Sequence, residues 1–242
     1  MTHGTRDWDV TSGSKTTHKL TDMAELAARL GSPVHYDRRG DVIWIDGFEE
    51  ATNRYDFTLD QVDASVARST TRAQSGVYSY KLVAPNDGIG YAGITASTPD
   101  VVRSKIGLEW SFNLPDHIGA FFVGVTVLSG TAGWDATVGW DDALKKLLIY
   151  DGAGNPVPFA TGVDLPINLP TWNTIKLVLD AETHRYVRLL LNERAYDLSA
   201  YAMHTFPWGA ASRVDYHAFT NGRAGHNDAV YLDNLIITQN EP

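Results

Sequence analysis

A few side chains in this sequence have types and spacing that could do chemistry. Asp215 and His217 stand two apart in the β-patterned run Val214 to Phe219, so they share one strand face. Together with His226 they form the best histidine grouping of the chain, suited to a metal ion or an acid–base pair. A surface strand carrying ordinary polar residues has the same pattern. Asp141 and Asp142 are adjacent, so a strand would aim them at opposite faces and they cannot act jointly; the pair reads as a turn. Sugar rings stack on flat, exposed indoles, and three of the seven tryptophans sit where that is feasible. Trp134 and Trp140 are flanked by Gly130, Gly133, Gly139 and the two aspartates, and Trp208 lies in Pro207-Trp208-Gly209. Loop tryptophans of this kind also plug the ends of a sandwich core. Trp44, Trp110 and Trp172 fall in strand runs and are assigned to the core. There is no cysteine, which removes disulfides, zinc–thiolate sites and thiol nucleophiles, and neither Gly-x-Ser-x-Gly nor His-Glu-x-x-His occurs.

The elements that must position these residues are mostly strands. Residues 1–19 are polar, rich in Thr, Ser, Gly and charge, and read as an arm. One helix is expected over about 22–30: Asp22 caps it, Glu25 follows three positions on, and Gly31 and Pro33 end it. Its stripe of Met23, Leu26, Ala27 and Leu30 is too short to hold a helix in water alone, so it must lie on the sandwich or on another subunit. The expected division is therefore an arm with a helix over 1–40 and a β domain over 41–242.

From residue 41 the apolar period becomes two. Val42 to Ile45 reads as a strand buried on both sides. Ala64 to Ala73 turns through Gln74-Ser75-Gly76 into Val77 to Val83. Ile106, Leu108, Trp110 and Phe112 alternate with polar or small residues, which places Glu109 on a solvent face. Phe121 to Leu128 is apolar on both faces, hence central. Trp172–Asp180 and Tyr186–Leu191 pair across Ala181 to His184, Asn192-Glu193 is a hairpin turn, and Val214–Phe219 and Val230–Ile237 close the series. About a dozen such strands with frequent Gly, Pro and Asn punctuation indicate an all-β fold of two packed antiparallel sheets.

Charge narrows the partners. With 29 acidic and 20 basic residues the net charge is −9, and no Lys/Arg run forms a local basic stripe, so nucleic acid is not expected. Met1 to Trp8 lacks the apolar core of a signal peptide, and no apolar run approaches the ~18 residues of a membrane-spanning helix.

Four segments resemble a known superfamily. Ile45-Asp46-Gly47-Phe48-Glu49-Glu50 is similar to the opening strand of concanavalin A-like lectin/glucanase and carbohydrate-binding jelly rolls. Ser75 to Leu82 resembles their second signature, and Trp172 to Leu177, continuing through Asp180, Tyr186 and Asn192, resembles the paired strands after it. Val230-Tyr231-Leu232-Asp233-Asn234-Leu235 is similar to their closing strand. The resemblance spans residues 42 to 238 and implies a jelly-roll sandwich. It also implies a structural Ca²⁺ held by Asp46, Glu49 and Asp233, since hard oxygen ligands suit that cation. The alternative is that Asp233 caps a turn and Glu49 is exposed.

Glycosidases of the superfamily place paired carboxylates on one strand as Glu-x-Asp-x-x-Glu, and no Glu here has an Asp two residues later. The chain is therefore expected not to be an enzyme, although a lyase using His217 and Tyr216 stays open. The expected role is a lectin-like structural or recognition subunit of a larger assembly, of phage-virion or surface-layer type, docking to other protein subunits through its arm. The alternative is a carbohydrate-binding module that binds glycans through Trp134, Trp140 or Trp208.

Overall fold

Period-two alternation governs the structure from Asp41 onward, and two sheets result because each strand has one apolar face to bury. In this computed structural model the described residues are 39–52, 54–99 and 103–242. The arm, its helix and the contact residues Met23, Leu26 and Leu30 fall outside them. Among the described residues there is no helix, and the strands in chain order are β1 (Asp41–Asp46), β2 (Asp56–Leu59), β3 (Ser65–Ser69), β4 (Ser79–Val83), β5 (Tyr91–Pro99), β6 (Lys105–Asn113), β7 (Ala120–Ser129) and β8 (Ala132–Asp141). They continue as β9 (Lys146–Tyr150), β10 (Pro156–Thr161), β11 (Asn173–Asp180), β12 (Arg185–Leu191), β13 (Arg194–Asp197), β14 (His204–Pro207), β15 (Arg213–Asn221) and β16 (Ala229–Gln239).

The first sheet has the order β13-β12-β11-β6-β16-β4-β3, with β1 also on β16. The second runs β10-β9-β8-β7-β15-β5-β2, with β14 also on β8. All pairings are antiparallel. The sheets pack face to face over a core that includes Ile94, Leu108, Trp110, Phe112, Phe121, Val123, Val138, Leu177, Tyr216 and Leu232.

Two strands switch partners along their length. β16 pairs with β4 through Leu232, then bulges at Asp233, takes a left-handed Asn234 (φ 51°) and pairs with β1 from Leu235. β8 pairs with β14 over Ala132–Asp135 and with β9 only from Val138. The gap at Thr137 is filled from the opposite sheet by Tyr186. Its buried hydroxyl accepts from the Thr137 N–H at 2.9 Å and donates to the Tyr150 carbonyl at 2.8 Å. Burial raises the Tyr186 phenol far above its ordinary range, so it stays a donor.

Several expectations need correcting. β1 is not buried on both sides: Ile43 and Ile45 are 36% and 41% exposed, because β1 is an edge strand covering half of β16. Trp172 is only half-buried, just ahead of β11. Glu109 does not face solvent; β6 lies between β11 and β16 and both of its faces are covered. The same outer face buries Lys176, whose ammonium lies 2.7 Å from Glu241, while Arg188 holds the other Glu241 oxygen at 2.7 Å. The segment of Trp134 and Trp140 is not loose either. It is β8, a ten-residue strand. Asp141 ends that strand and Asp142 opens the turn to β9, as the adjacent pair indicates.

Candidate functional site

The outward face of the second sheet carries the candidate site. On β15, alternation turns Val214, Tyr216, Ala218 and Thr220 into the core and leaves Asp215, His217, Phe219 and Asn221 outside. This separates the sequence-predicted pair. Tyr216 is fully buried on the other side of the strand, and burial pushes its phenol up to about 12. His226 lies in the exposed loop after β15, away from the strand face of Asp215 and His217.

Register then decides what surrounds His217. Gly124 of β7 and Thr95 of β5 stand opposite it, and a Cβ on Gly124 would collide with both the His217 ring and the Thr137 hydroxyl. The glycine is thus a space requirement, and the imidazole fills the space. Thr137 Oγ1 lies 2.8 Å from Asp135 Oδ2 and 3.1 Å from His217 Nε2. A carboxylate only accepts, so Thr137 spends its proton there and the imidazole must donate through Nε2–H. Asp135 also accepts from Thr126 at 2.8 Å. Burial pulls the His217 pKa down, and the favourable charges of Asp135 and Asp215 do not outweigh it. His217 is therefore neutral at pH 7. Asp215 is held by Arg213 at 2.8 Å and Ser97 at 2.7 Å.

Beside this polar half runs a row of four rings, one from each of four strands. Tyr91 lies 5.5 Å from Phe219, Phe219 stacks on Phe122 at 4.8 Å and 14°, and Phe122 lies 5.9 Å from Tyr150. Phe122 occupies the space a Cβ on Gly139 would need, and Phe219 leans over Gly93. The phenol of Tyr150 is raised by desolvation and then by Asp135. The rings border a groove of about 620 Å³ to which every strand from β10 to β2 contributes, among them Pro156, Tyr150, Phe122, His217, Tyr91 and Thr58. Its lining includes Asp141 and His217 but neither Lys nor Arg.

The sequence-predicted tryptophans lie elsewhere. Trp140 is 1% exposed and donates its indole N–H to the Val163 carbonyl, so it is a core residue and offers no ring face. Trp134 points inward from β8 and is covered by the His184 ring at 3.8 Å. Trp208 is half-buried after β14, with the Arg213 guanidinium 5.5 Å over its ring.

The expected calcium ligands are each occupied by protein donors. Asp46 accepts from the Phe48 N–H and the Tyr55 hydroxyl, both at 2.7 Å. Glu49 accepts from the Val77 and Tyr78 amides at 2.9 and 2.8 Å. Asp233, buried at the β16 bulge, accepts from the amides of Gln74, Ser75 and Asn234. Among the described residues no group of three His, Asp or Glu side chains is arranged to hold a metal ion.

Solved structures place this architecture. An endo-β-1,4-glucuronan lyase from the fungus Trichoderma reesei aligns with a TM-score of 0.58 at 10% identity, over 82% of this chain and 95% of its own. Alginate lyase vAL-1 from Chlorella virus aligns at 0.53 and 15% identity, over 77% and 93%. The carbohydrate recognition domain of Emp46p, in its potassium-bound form, aligns at 0.51 and 10%, over 80% and 94%. The fold is the concanavalin A-like jelly roll. No protein-family model and no curated protein matches the sequence.

Within this jelly roll, alternation alone made the Asp215–His217 face legible. The rings were missed because Tyr91, Phe122 and Tyr150 come from three other strands, two of which, β5 and β9, are not among the strands expected from the sequence. The available clue was Phe219, which shares the parity of His217.

Proposed function

We propose that this jelly roll is a non-catalytic glycan-binding protein whose ligand lies in the groove of the second sheet. The observation that carries this is the row Tyr91–Phe219–Phe122–Tyr150 across an open groove spanning the sheet. Sugar rings present apolar C–H faces edged by hydroxyls. Aromatic side chains meet the faces, and Thr58, Thr95, Asp141 and Asn221 offer hydrogen bonds to the edges. That two lyases and a carbohydrate recognition domain share the fold supports a glycan ligand, with fold alone as the warrant.

Binding without cleavage is favoured by charge. Removing the proton beside a uronate carboxyl builds negative charge that a positive group must meet. The groove lining carries neither Lys nor Arg, its His217 is neutral, and the nearby Arg213 is tied to Asp215.

The test is affinity electrophoresis through gels containing soluble polysaccharides, followed by calorimetry with oligosaccharides. Tyr91→Ala and Tyr150→Ala should each weaken binding about tenfold, as expected for losing a stacked ring worth about 1 kcal/mol or more. Absence of binding to every glycan class overturns the proposal. Accumulation of unsaturated products would overturn its non-catalytic part.

A further inference from the structure

The His217 ring is held by one edge only. Its Nε2–H donates to Thr137 Oγ1 at 3.1 Å, and the Thr137 hydroxyl in turn donates to Asp135 Oδ2 at 2.8 Å. A neutral imidazole carries a single N–H, so the tautomer that satisfies Thr137 leaves Nδ1 with a bare lone pair. Reversing the tautomer would take the Thr137 proton away from the Asp135 carboxylate. Nδ1 has no hydrogen-bond partner among the described residues, yet it is not closed off from solvent. The side chain is 17% exposed and belongs to the groove lining. Phe219 is the next residue on the same strand face, with its ring centroid 6.0 Å from that of His217. A fixed acceptor thus stands beside the aromatic row. The lining also contains the Asp141 carboxylate, a second acceptor, and neither Lys nor Arg.

Resting on the glycan-binding reading above, we infer that the groove selects a neutral, hydroxyl-bearing glycan over a uronate, and that His217 Nδ1 accepts the hydroxyl hydrogen bond that fixes the sugar in place. A sugar lying along the ring row turns C–H groups to the aromatics and hydroxyls to its edges. A hydroxyl has a proton to give to Nδ1. A uronate carboxylate has none: between Nδ1 and Asp141 it meets acceptors, with no cation in the lining to offset its desolvation. The Thr58 and Thr95 hydroxyls, also in the lining, can rotate to suit either kind of group and so do not discriminate. Nδ1 cannot, because Thr137 and Asp135 hold the proton at the other edge of the ring.

Calorimetry with hexamers of β-linked glucose, mannose and xylose, and of guluronate and mannuronate, tests the selection. At least one neutral hexamer should bind, and each uronate hexamer should bind about tenfold more weakly or not at all. Removing the hydroxyls of that neutral sugar one at a time should find a position that costs about fivefold in affinity. His217→Gln keeps an N–H in the place of Nε2 and has no acceptor in that of Nδ1; it should lose about the same factor and be indifferent to that removal. The imidazole nitrogen resonances of His217 in the unaltered protein give a reading that needs no variant. Nε2 should carry the proton, and the Nδ1 signal should move as the neutral hexamer is added. A uronate that binds as tightly as the best neutral hexamer overturns the selection and leaves the groove reading standing. An Nδ1-protonated ring, an Nδ1 signal that bound sugar leaves in place, or a His217→Gln protein as sensitive to the missing hydroxyl as the wild type overturns the contact, again with the groove reading intact. If no hexamer binds, the groove reading itself fails and this inference falls with it.

Discussion

Asp233 yields a prediction whose sign and size both come from its surroundings. The residue is fully buried at the β16 bulge, and its carboxyl is pushed up to about 6, first by burial and opposed by the amides of Ser75, Gln74 and Asn234, with Glu49 adding a smaller push upward. The native state therefore holds this proton more tightly than the unfolded chain, where the ordinary value is 3.8. Stability from this group is complete below the unfolded value and is lost as pH rises through the folded one. At about 1.4 kcal/mol per pH unit, the interval amounts to about 3 kcal/mol lost between about pH 4 and about pH 6. Other carboxylates act with the opposite sign. At Asp142 burial raises the carboxyl, but bonds from Lys145, His117 and Ile118 outweigh it and hold it below its ordinary value. Its contribution is lost as pH falls, so it shapes the profile on the acid side of the Asp233 window.

Asp233→Asn isolates the effect because it keeps the volume and cannot titrate. The variant loses one acceptor, so it begins less stable at about pH 4, and the wild type's advantage over it should shrink as pH rises. His217 and His184, whose lowered values make stability rise with pH, act equally on both profiles. Urea unfolding followed by tryptophan fluorescence across about pH 4 to 7 gives the difference directly. Convergence of the two curves by about 3 kcal/mol supports the argument, and curves that run parallel refute it. The same profile addresses the calcium expected from the resemblance. A cation on Asp46, Glu49 and Asp233 would keep Asp233 ionised in the native state and abolish the decline. Because all three side chains already accept protein N–H or O–H groups, added calcium or chelator should leave the profile unchanged.

Two further outcomes follow from buried partners. Glu241→Gln leaves the Lys176 ammonium and the Arg188 guanidinium without their shared carboxylate; it should cost about 3–5 kcal/mol and lower the melting temperature by about 10 °C in calorimetry. Tyr186→Phe removes the hydroxyl that fills the β8–β9 gap and should cost about 1–3 kcal/mol, with faster amide exchange at Thr137 than in the wild type.

The sequence disclosed the β-sandwich because the strands that build the core are strongly patterned. Phe121 to Leu128 is apolar on both faces, and β7 does lie inside its sheet, between β8 and β15. Ala181 to His184 joins β11 to β12 as the turn chemistry indicates. Edges were harder. β1 carries four apolar residues in a row yet is half-exposed, since an apolar run does not say whether a second strand covers it. The reverse error occurred at Glu109, where a charge was taken as a sign of solvent. Whether a charge is buried depends on Lys176 and Glu241, residues distant in sequence that close the outer face of that sheet.

The glycines of β8 link the main misreading to the site. Gly133 and Gly139 gave the segment the look of a loop, and that look made Trp134 and Trp140 seem exposed. In the strand both tryptophans have core parity, while the glycines share the outer face with Asp135 and Thr137. Each outer glycine has a ring over it, Phe206 at Gly133 and Phe122 at Gly139. Small residues on an outer face are what allow large ones from the next strand to lie flat there, so Gly in a strand can mark close approach as well as a turn. Gly93 and Gly124 accommodate Phe219 and His217 by the same logic. The groove is thus encoded in paired absences and presences on neighbouring strands. A single-strand reading sees only a weak strand, whereas the registers of β5, β15, β7 and β8 turn the same glycines into the floor of a binding face.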